Sequence, residues 1–338
     1  MLPRFKKILI FIVFAGALLT GAFPNSFAQQ PRPEMYKESR RLMWAQFEIV
    51  AYGQNKTQLA EAADAAFNEI DRLDKQMSNY AETSELTYIN RNAAHKDIIV
   101  EKELFDLLKF SLDASRESGG TFDITVGPLM KSWGFFNKQG RIPEPNELKS
   151  VMATVGNKHV TANASNRTIR FDGEGVELDL GGIAKGYAVD KAAQILRESG
   201  VTSALITSGS SIYAIGTPPN ISGWKIEVTD PTSPTHSAES VELKDNAIST
   251  SGCYDKNFTV AGKTYCHIMD PRTGYPIEGM LSATVITPRG VDAEVYSKVV
   301  MVSGIDGAKN YLKRHPEIRA IIFYRQSDGT VASVRLNF

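Results

Sequence analysis

Apolar residues recur at helical spacing through "KTQLAEAADAAFNEIDRLDKQMS", where Leu59, Ala63, Ala66, Ile70 and Leu73 fall on one side. That period predicts an amphipathic helix, and the preceding "FEIVAYG" reads as a strand after a short polar tether, "QQPRPE". A second helix is predicted over "EKELFDLLKFSLDASRESGG", closed by Gly119 and Gly120, since glycine takes the left-handed conformation that ends a helix. From Lys158 onward short strands dominate: "HVTANASNRTIRFDG", "VELDL", "SALITSGSSIYAIG", "WKIEVTDP" and "LSATVITPRG". Between them lies a helix from Ala184 to Ser199, stopped by Gly200, and a hairpin turning at Ala261 and Gly262 with Val260 opposite Lys263. A late helix from about Asp292 and a final hairpin, "RAIIFYR…VASVRLNF", complete the chain. Strands and helices do not alternate strictly, so the pattern favours an α+β fold over a doubly wound parallel sheet. There is no internal repeat, low-complexity block or clear linker.

The N-terminus reads differently. Arg4, Lys6 and Lys7 precede an apolar run from Ile8 to about Phe23, and small Ser26 and Ala28 follow at cleavage-type positions. A secretory signal over residues 1–28 is expected, with one domain over 29–338. An uncleaved anchor is the alternative, for which the run is short against the roughly 20 residues of a span. With no cysteine nearby, a lipid anchor is excluded, and the mature chain is expected outside the cytoplasm, periplasmic or otherwise extracytoplasmic. Lys plus Arg and Asp plus Glu both number 38, and no basic stripe carries interleaved aromatics, which argues against nucleic acid as a partner. An oxidising compartment would let Cys253 and Cys266 pair. The hairpin register, however, sets Cys253 opposite Asp270, about 13 Å from Cys266. A bridge therefore requires an irregular first strand, because its Cα atoms must lie within about 7 Å.

Three blocks concentrate candidate chemistry. In "LDLGGIAKGYAVD", a strand end, a Gly-Gly turn and a helix start present free backbone N–H groups where an anion such as phosphate binds. Lys185 adds a cation there, and Asp179 offers an acceptor for a ribose or amino group. The spacing is neither G-x-G-x-x-G nor a Walker loop, and a tight turn with a solvated lysine is the competing reading. In "GGTFDITVGPLMKSWGFF", glycines and Pro128 bracket Phe122 and Asp123, with Trp133, Phe135 and Phe136 close behind. Rings and one carboxylate suit a flat heterocycle, while aromatics in the core with Asp123 capping a turn is the alternative. In "YCHIMDPRTGYP", His267 stands beside an Asp-Pro-Arg-Thr-Gly turn, either as a general base or as a structural hydrogen-bonding group. No His/Cys spacing suggests zinc.

Together these blocks, with "MSNY…SELTYIN" and "STSG", resemble the ApbE family of FAD:protein FMN transferases, from about Met43 to Gly304. The resemblance implies a T-fold-like α+β chain with two lobes around a nucleotide cleft. It implies FAD as substrate and Mg²⁺ as cofactor, with FMN moved to a Thr or Ser hydroxyl of an acceptor protein of an exported redox system, and AMP released. By matching position, Met43, Tyr80, Thr121, Phe122, Asp123, Asp179, Lys185 and Ile268 would line the FAD site, and His267 would be the base. Gly182 would supply a metal-binding carbonyl.

The late helix departs from the family. "DAEVYSKVVMVSG" has Glu294 for the usual Asp and Lys298 for the usual Thr, with Ser297 as a substitute oxygen. An ammonium at Lys298 cannot ligate a metal; either it forms a helical pair with Glu294, or it takes part of the metal's place. Trp44 replaces a glycine near the FAD position. "SGSS", Ser208 to Ser211, resembles an acceptor motif and raises self-flavinylation at Ser211. Two alternatives to transfer stand beside it: FAD pyrophosphatase activity giving FMN and AMP, and flavin binding with little or no catalysis.

Overall fold

A computed structural model describes residues 33–136, 139–254 and 256–338; the predicted signal over 1–28 lies outside them. Eight strands form one sheet: Glu34–Leu42, Ala45–Gly53, Ala204–Thr207, Ser211–Ile215, Ala247–Gly252, Met280–Thr287, Arg319–Arg325 and Val331–Leu336. They lie side by side in chain order, and every neighbouring pair is antiparallel. The expected α+β class follows.

Side chains alternate across a strand, so each strand feeds both faces. Phe47, Ile49, Ala283, Val285, Ala320 and Ile322 join a core with the helices Lys56–Met77, Ala184–Glu198 and Gly290–Arg314. Their neighbours Ile248, Ile286, Ile321 and Phe323 pack with Trp224, Ile226 and Val228 of a hairpin formed by Trp224–Thr229 and Ser237–Leu243. Covered on both faces, the central strands are largely buried, with apolar runs such as "ATVI" and "AIIF" beside buried Ser249, Ser251, Ser282 and Thr284. All five apolar positions expected to line the first helix are buried.

Three expectations change. The first strand, Glu34–Leu42, escapes the apolar pattern because its sequence, "EMYKESRRL", is that of a solvated edge, and its identity comes from pairing with Ala45–Gly53. Residues 176–180 form no strand, although "VELDL" alternates. Their backbone bonds go elsewhere: Leu178 donates to and accepts from the Asn90 amide at 2.9 Å each, and the Asp179 N–H donates to the Ile124 carbonyl at 2.7 Å. Finally, the Val260–Lys263 hairpin register holds, but its first strand begins only at Asn257, whose side chain donates back to the Cys253 carbonyl at 2.8 Å. That fold-back brings the Cys253 and Cys266 Cα atoms to 5.0 Å, and the disulfide forms. Among the described residues no helix is long and apolar enough to cross a membrane.

Candidate active site

The Asn90 amide, gripping Leu178 on both sides, fixes where the Gly-Gly turn leaves the core. Asp179 then accepts the Gly181 N–H at 2.7 Å, and the helix starts at Ala184 with no side chain capping Ile183. The Ile183 and Ala184 N–H groups bond back to the Leu180 carbonyl at 2.9 and 2.8 Å, so what this turn offers an anion is the positive end of the helix dipole together with Lys185. One turn on, the helix touches the late helix backbone to backbone. A Cβ on Gly186 would stand 2.2 Å from the Gly290 carbonyl oxygen and 2.6 Å from Glu294 Cγ. Asp190 completes the junction by accepting the N–H groups of Gly290 and Val291 at 2.5 and 2.9 Å. The close crossing delivers Lys298 to the Gly-Gly turn: a Cβ on Gly182 would lie 3.8 Å from Lys298 Cε and 3.7 Å from Phe122 Cε2.

Charges converge there. Burial pushes the Lys185 ammonium below its ordinary range, with Asp179 acting against it; burial likewise pushes the Asp179 carboxyl up, opposed by the Gly181 N–H and by Lys185. Burial, reinforced by Lys185, also drives Lys298 well down, while the Glu294 carboxylate in contact pulls the other way. The His267 imidazole is lowered to about 4 by burial and by the charges of Lys256, Lys298 and Lys185. Its Nδ1 sits 2.9 Å from the Lys256 carbonyl. A carbonyl can only accept, so Nδ1 carries the proton and Nε2 keeps its lone pair. His267 is thus a neutral base with a fixed tautomer beside two lysines.

The expected metal donors fit Mg²⁺ poorly. Glu294 is fully buried; one carboxylate oxygen pairs with Lys298 and the other accepts from Ser211. Ser297 is occupied too, donating to the Glu294 carbonyl at 2.9 Å and sharing a 2.8 Å bond with Ser251. Successive helical residues point about 100° apart, which turns Ser297 toward the sheet. Gly182 contributes no carboxylate, and no group of three or more His, Cys, Asp or Glu able to hold a metal exists among the described residues. A hard divalent ion needs several free oxygens, and here an ammonium already holds the one carboxylate.

The remaining predicted residues separate into two kinds. Asp123 is an organiser: its oxygens accept from Ser115 Oγ, from Thr125 N–H and Oγ, and from the Asn157 N–H at 2.6 to 2.9 Å. Those four bonds fill the carboxylate, so it has no free edge to offer a heterocycle. Buried Thr121 bonds the Ser118 carbonyl at 3.1 Å, and Phe122 seats against Gly182. Ile268 is buried behind His267. Met43 and Trp44 form the turn between the first two strands, both with positive φ of 48° and 58°, and Asp74 accepts the Met43 N–H at 2.8 Å. Trp44 is 69% exposed and lies 5.8 Å from Tyr80, which stacks on Phe136 at 4.3 Å. Tyr80 and Phe136 border a cavity of 420 Å³ also lined by Asn79, Asn90, Lys131 and Glu177. Trp133 does not join the row; it is fully buried, with Nε1 donating to the Gly274 carbonyl at 2.9 Å. Ser211 is buried as well, its hydroxyl held by Glu294, which removes it as a self-flavinylation site. Asn90, Asp190 and the Ser115–Asn157 pair were not legible in the sequence, since each acts on a segment far along the chain.

Fold and site define a class: an antiparallel α+β protein with a Gly-Gly turn opening a helix, two lysines near that turn and a histidine with a fixed tautomer. The ApbE family profile matches residues 43–322, and the chain belongs to that family. It is 30% identical over 261 residues to the FAD:protein FMN transferase of Escherichia coli K12, covering 75% of this chain and 74% of that one. With the Vibrio cholerae enzyme of the same name it shares 33% over 270 residues, covering 77% and 80%. Among solved structures, the ApbE protein of Thermotoga maritima superimposes with a TM-score of 0.80 at 28% identity, over 88% of this chain and 96% of that chain. The apo flavinyl transferase ApbE of Pseudomonas stutzeri gives 0.79 at 27%, over 90% and 95%.

Proposed function

We propose that this chain transfers FMN from FAD to a Thr or Ser hydroxyl of an acceptor protein and releases AMP. The observation that carries the reading is the convergence of His267, Lys185 and Lys298 on the open Gly-Gly helix start. The pyrophosphate sits against the helix end and the lysines, where burial strengthens every charge interaction. His267 Nε2 takes the acceptor hydroxyl's proton, while the Lys256 carbonyl holds the proton on Nδ1 and supports the imidazolium that forms. The hydroxyl oxygen bonds to the FMN phosphorus, the bridging P–O bond breaks, and AMP leaves with the electron pair. Tyr80, Phe136 and Trp44 supply ring faces for the nucleotide's flat groups. No step is routed through Mg²⁺.

In this reading the activity lies outside the cytoplasm, on an acceptor of an exported redox system, and the signal-like pattern of residues 1–28 supports it. A bridged Cys253–Cys266 pair suits that compartment. The test is to incubate purified protein with FAD, with and without a threonine-bearing acceptor domain, and follow AMP by chromatography. Acceptor-dependent AMP, lost in His267→Ala, is expected. Acceptor-independent AMP with free FMN would replace transfer by hydrolysis, and bound but intact FAD would remove catalysis from the account.

A further inference from the structure

We propose that the Lys298 ammonium, anchored by Glu294, is the pyrophosphate's electrophilic partner in this protein and that turnover needs no divalent metal. The inference rests on the transferase reading above and deepens it. Three structural facts carry it. Glu294 is wholly enclosed and spends both oxygens on Lys298 and Ser211, so it is a socket for a cation already supplied by the chain. Lys298 retains 20% of its side-chain exposure while its partner has none, so the pair is sealed on the carboxylate side and opens on the ammonium side. The Gly-Gly turn lies close by: Lys298 Cε stands 3.8 Å from where a Cβ on Gly182 would be.

An ammonium has three N–H donors. One is committed to Glu294, and two remain for non-bridging pyrophosphate oxygens. In the transfer step Lys298 exchanges no proton. The hydroxyl proton goes to His267, the new O–P bond replaces the bridging P–O bond, and Lys298 together with Lys185 balances the charge that gathers on departing AMP. A fixed ammonium is no Lewis acid; it neutralises charge through its N–H donors and polarises the phosphoryl oxygen less than a dication would. Removing one preorganised charge-stabilising donor of this kind lowers kcat by about 10²-fold.

The decisive comparison uses the wild-type protein with FAD and an acceptor domain, once in EDTA and once in Mg²⁺, alongside electron paramagnetic resonance of added Mn²⁺ with FAD present. Equal turnover in both media and no bound Mn²⁺ are expected. Lys298→Thr, which restores an oxygen beside Glu294, should lose turnover in EDTA, recover it in Mg²⁺ and acquire a bound Mn²⁺ signal. Wild-type turnover abolished by EDTA and restored by Mg²⁺ would overturn the proposal, as would a tight Mn²⁺ site in the wild type. The Mn²⁺ measurement decides the site without any turnover, so absence of AMP under every condition would count against the transferase reading alone. Because Lys298→Thr also unpairs a buried carboxylate, Lys298→Arg is the companion variant; it keeps the charge and should stay metal-independent.

Discussion

Gly186→Ala puts a single methyl group where two helices touch. The new Cβ would lie 2.2 Å from the Gly290 carbonyl oxygen, about 1 Å inside contact distance. That oxygen belongs to helix backbone anchored by Asp190, so it cannot swing aside as a side chain would. Overpacking of this kind costs about 3 kcal/mol, and the better helix propensity of alanine returns about 1 kcal/mol. The net loss of about 2 kcal/mol lowers Tm by roughly 3 °C in a domain of this size. The second consequence is catalytic. Lys185 rides on one helix and Lys298 on the other, so opening the crossing separates the two cations, and a displacement of about 1 Å costs up to 10²-fold in kcat. Thermal unfolding followed by circular dichroism, with AMP release at a temperature where both proteins are folded, measures the two effects. Gly173→Ala is the control, because nothing lies within 4 Å of its added Cβ. A Gly186→Ala protein with wild-type Tm and wild-type kcat would refute the claim that this crossing sets the site.

Three other outcomes follow from the geometry. Because His267 is lowered to about 4 from the usual histidine value, it accepts a proton at any pH above that range, so kcat/KM should rise through about pH 4 and stay flat from 5 to 8; an acid limb near 6.5 would contradict the half-buried, cation-flanked imidazole. Trp44 is the exposed member of three tryptophans, so FAD should quench its emission, and Trp44→Gly should abolish the quenching, weaken FAD binding about tenfold and relieve left-handed strain of about 1 kcal/mol. The Cys253–Cys266 bridge closes a 13-residue separation around the Lys256 carbonyl that orients His267, so Cys253→Ser with Cys266→Ser should lose about 3 kcal/mol in urea unfolding and lower kcat more than it raises KM; equal effects on both parameters would detach the bridge from the base.

The legible part of this fold is the part with local causes. The helix Lys56–Met77 announces itself by its buried stripe, and the hairpin at Ala261 and Gly262 by turn chemistry, down to its register. The edge strand Glu34–Leu42 is invisible because its partner, not its composition, makes it a strand. Residues 176–180 alternate like a strand yet are claimed by Asn90 and Ile124, which no local pattern announces. At the site, Lys185, Asp179 and His267 stood out through their motifs, and Lys298 stood out as a departure from the resemblance. What the sequence did not disclose is how close they lie. That depends on Gly186 meeting Gly290, two glycines about a hundred positions apart whose importance is only the absence of a side chain. Asp123 shows the converse, since a carboxylate in a promising loop proves to be filled by its own neighbours.

The most direct measurement is the intact mass of a threonine-bearing acceptor domain after incubation with this protein and FAD, read alongside the AMP released. The account predicts one FMN added to the acceptor for each AMP formed, on a hydroxyl whose replacement by alanine blocks both. An acceptor of unchanged mass while FAD is consumed, or FAD that stays whole, would contradict it.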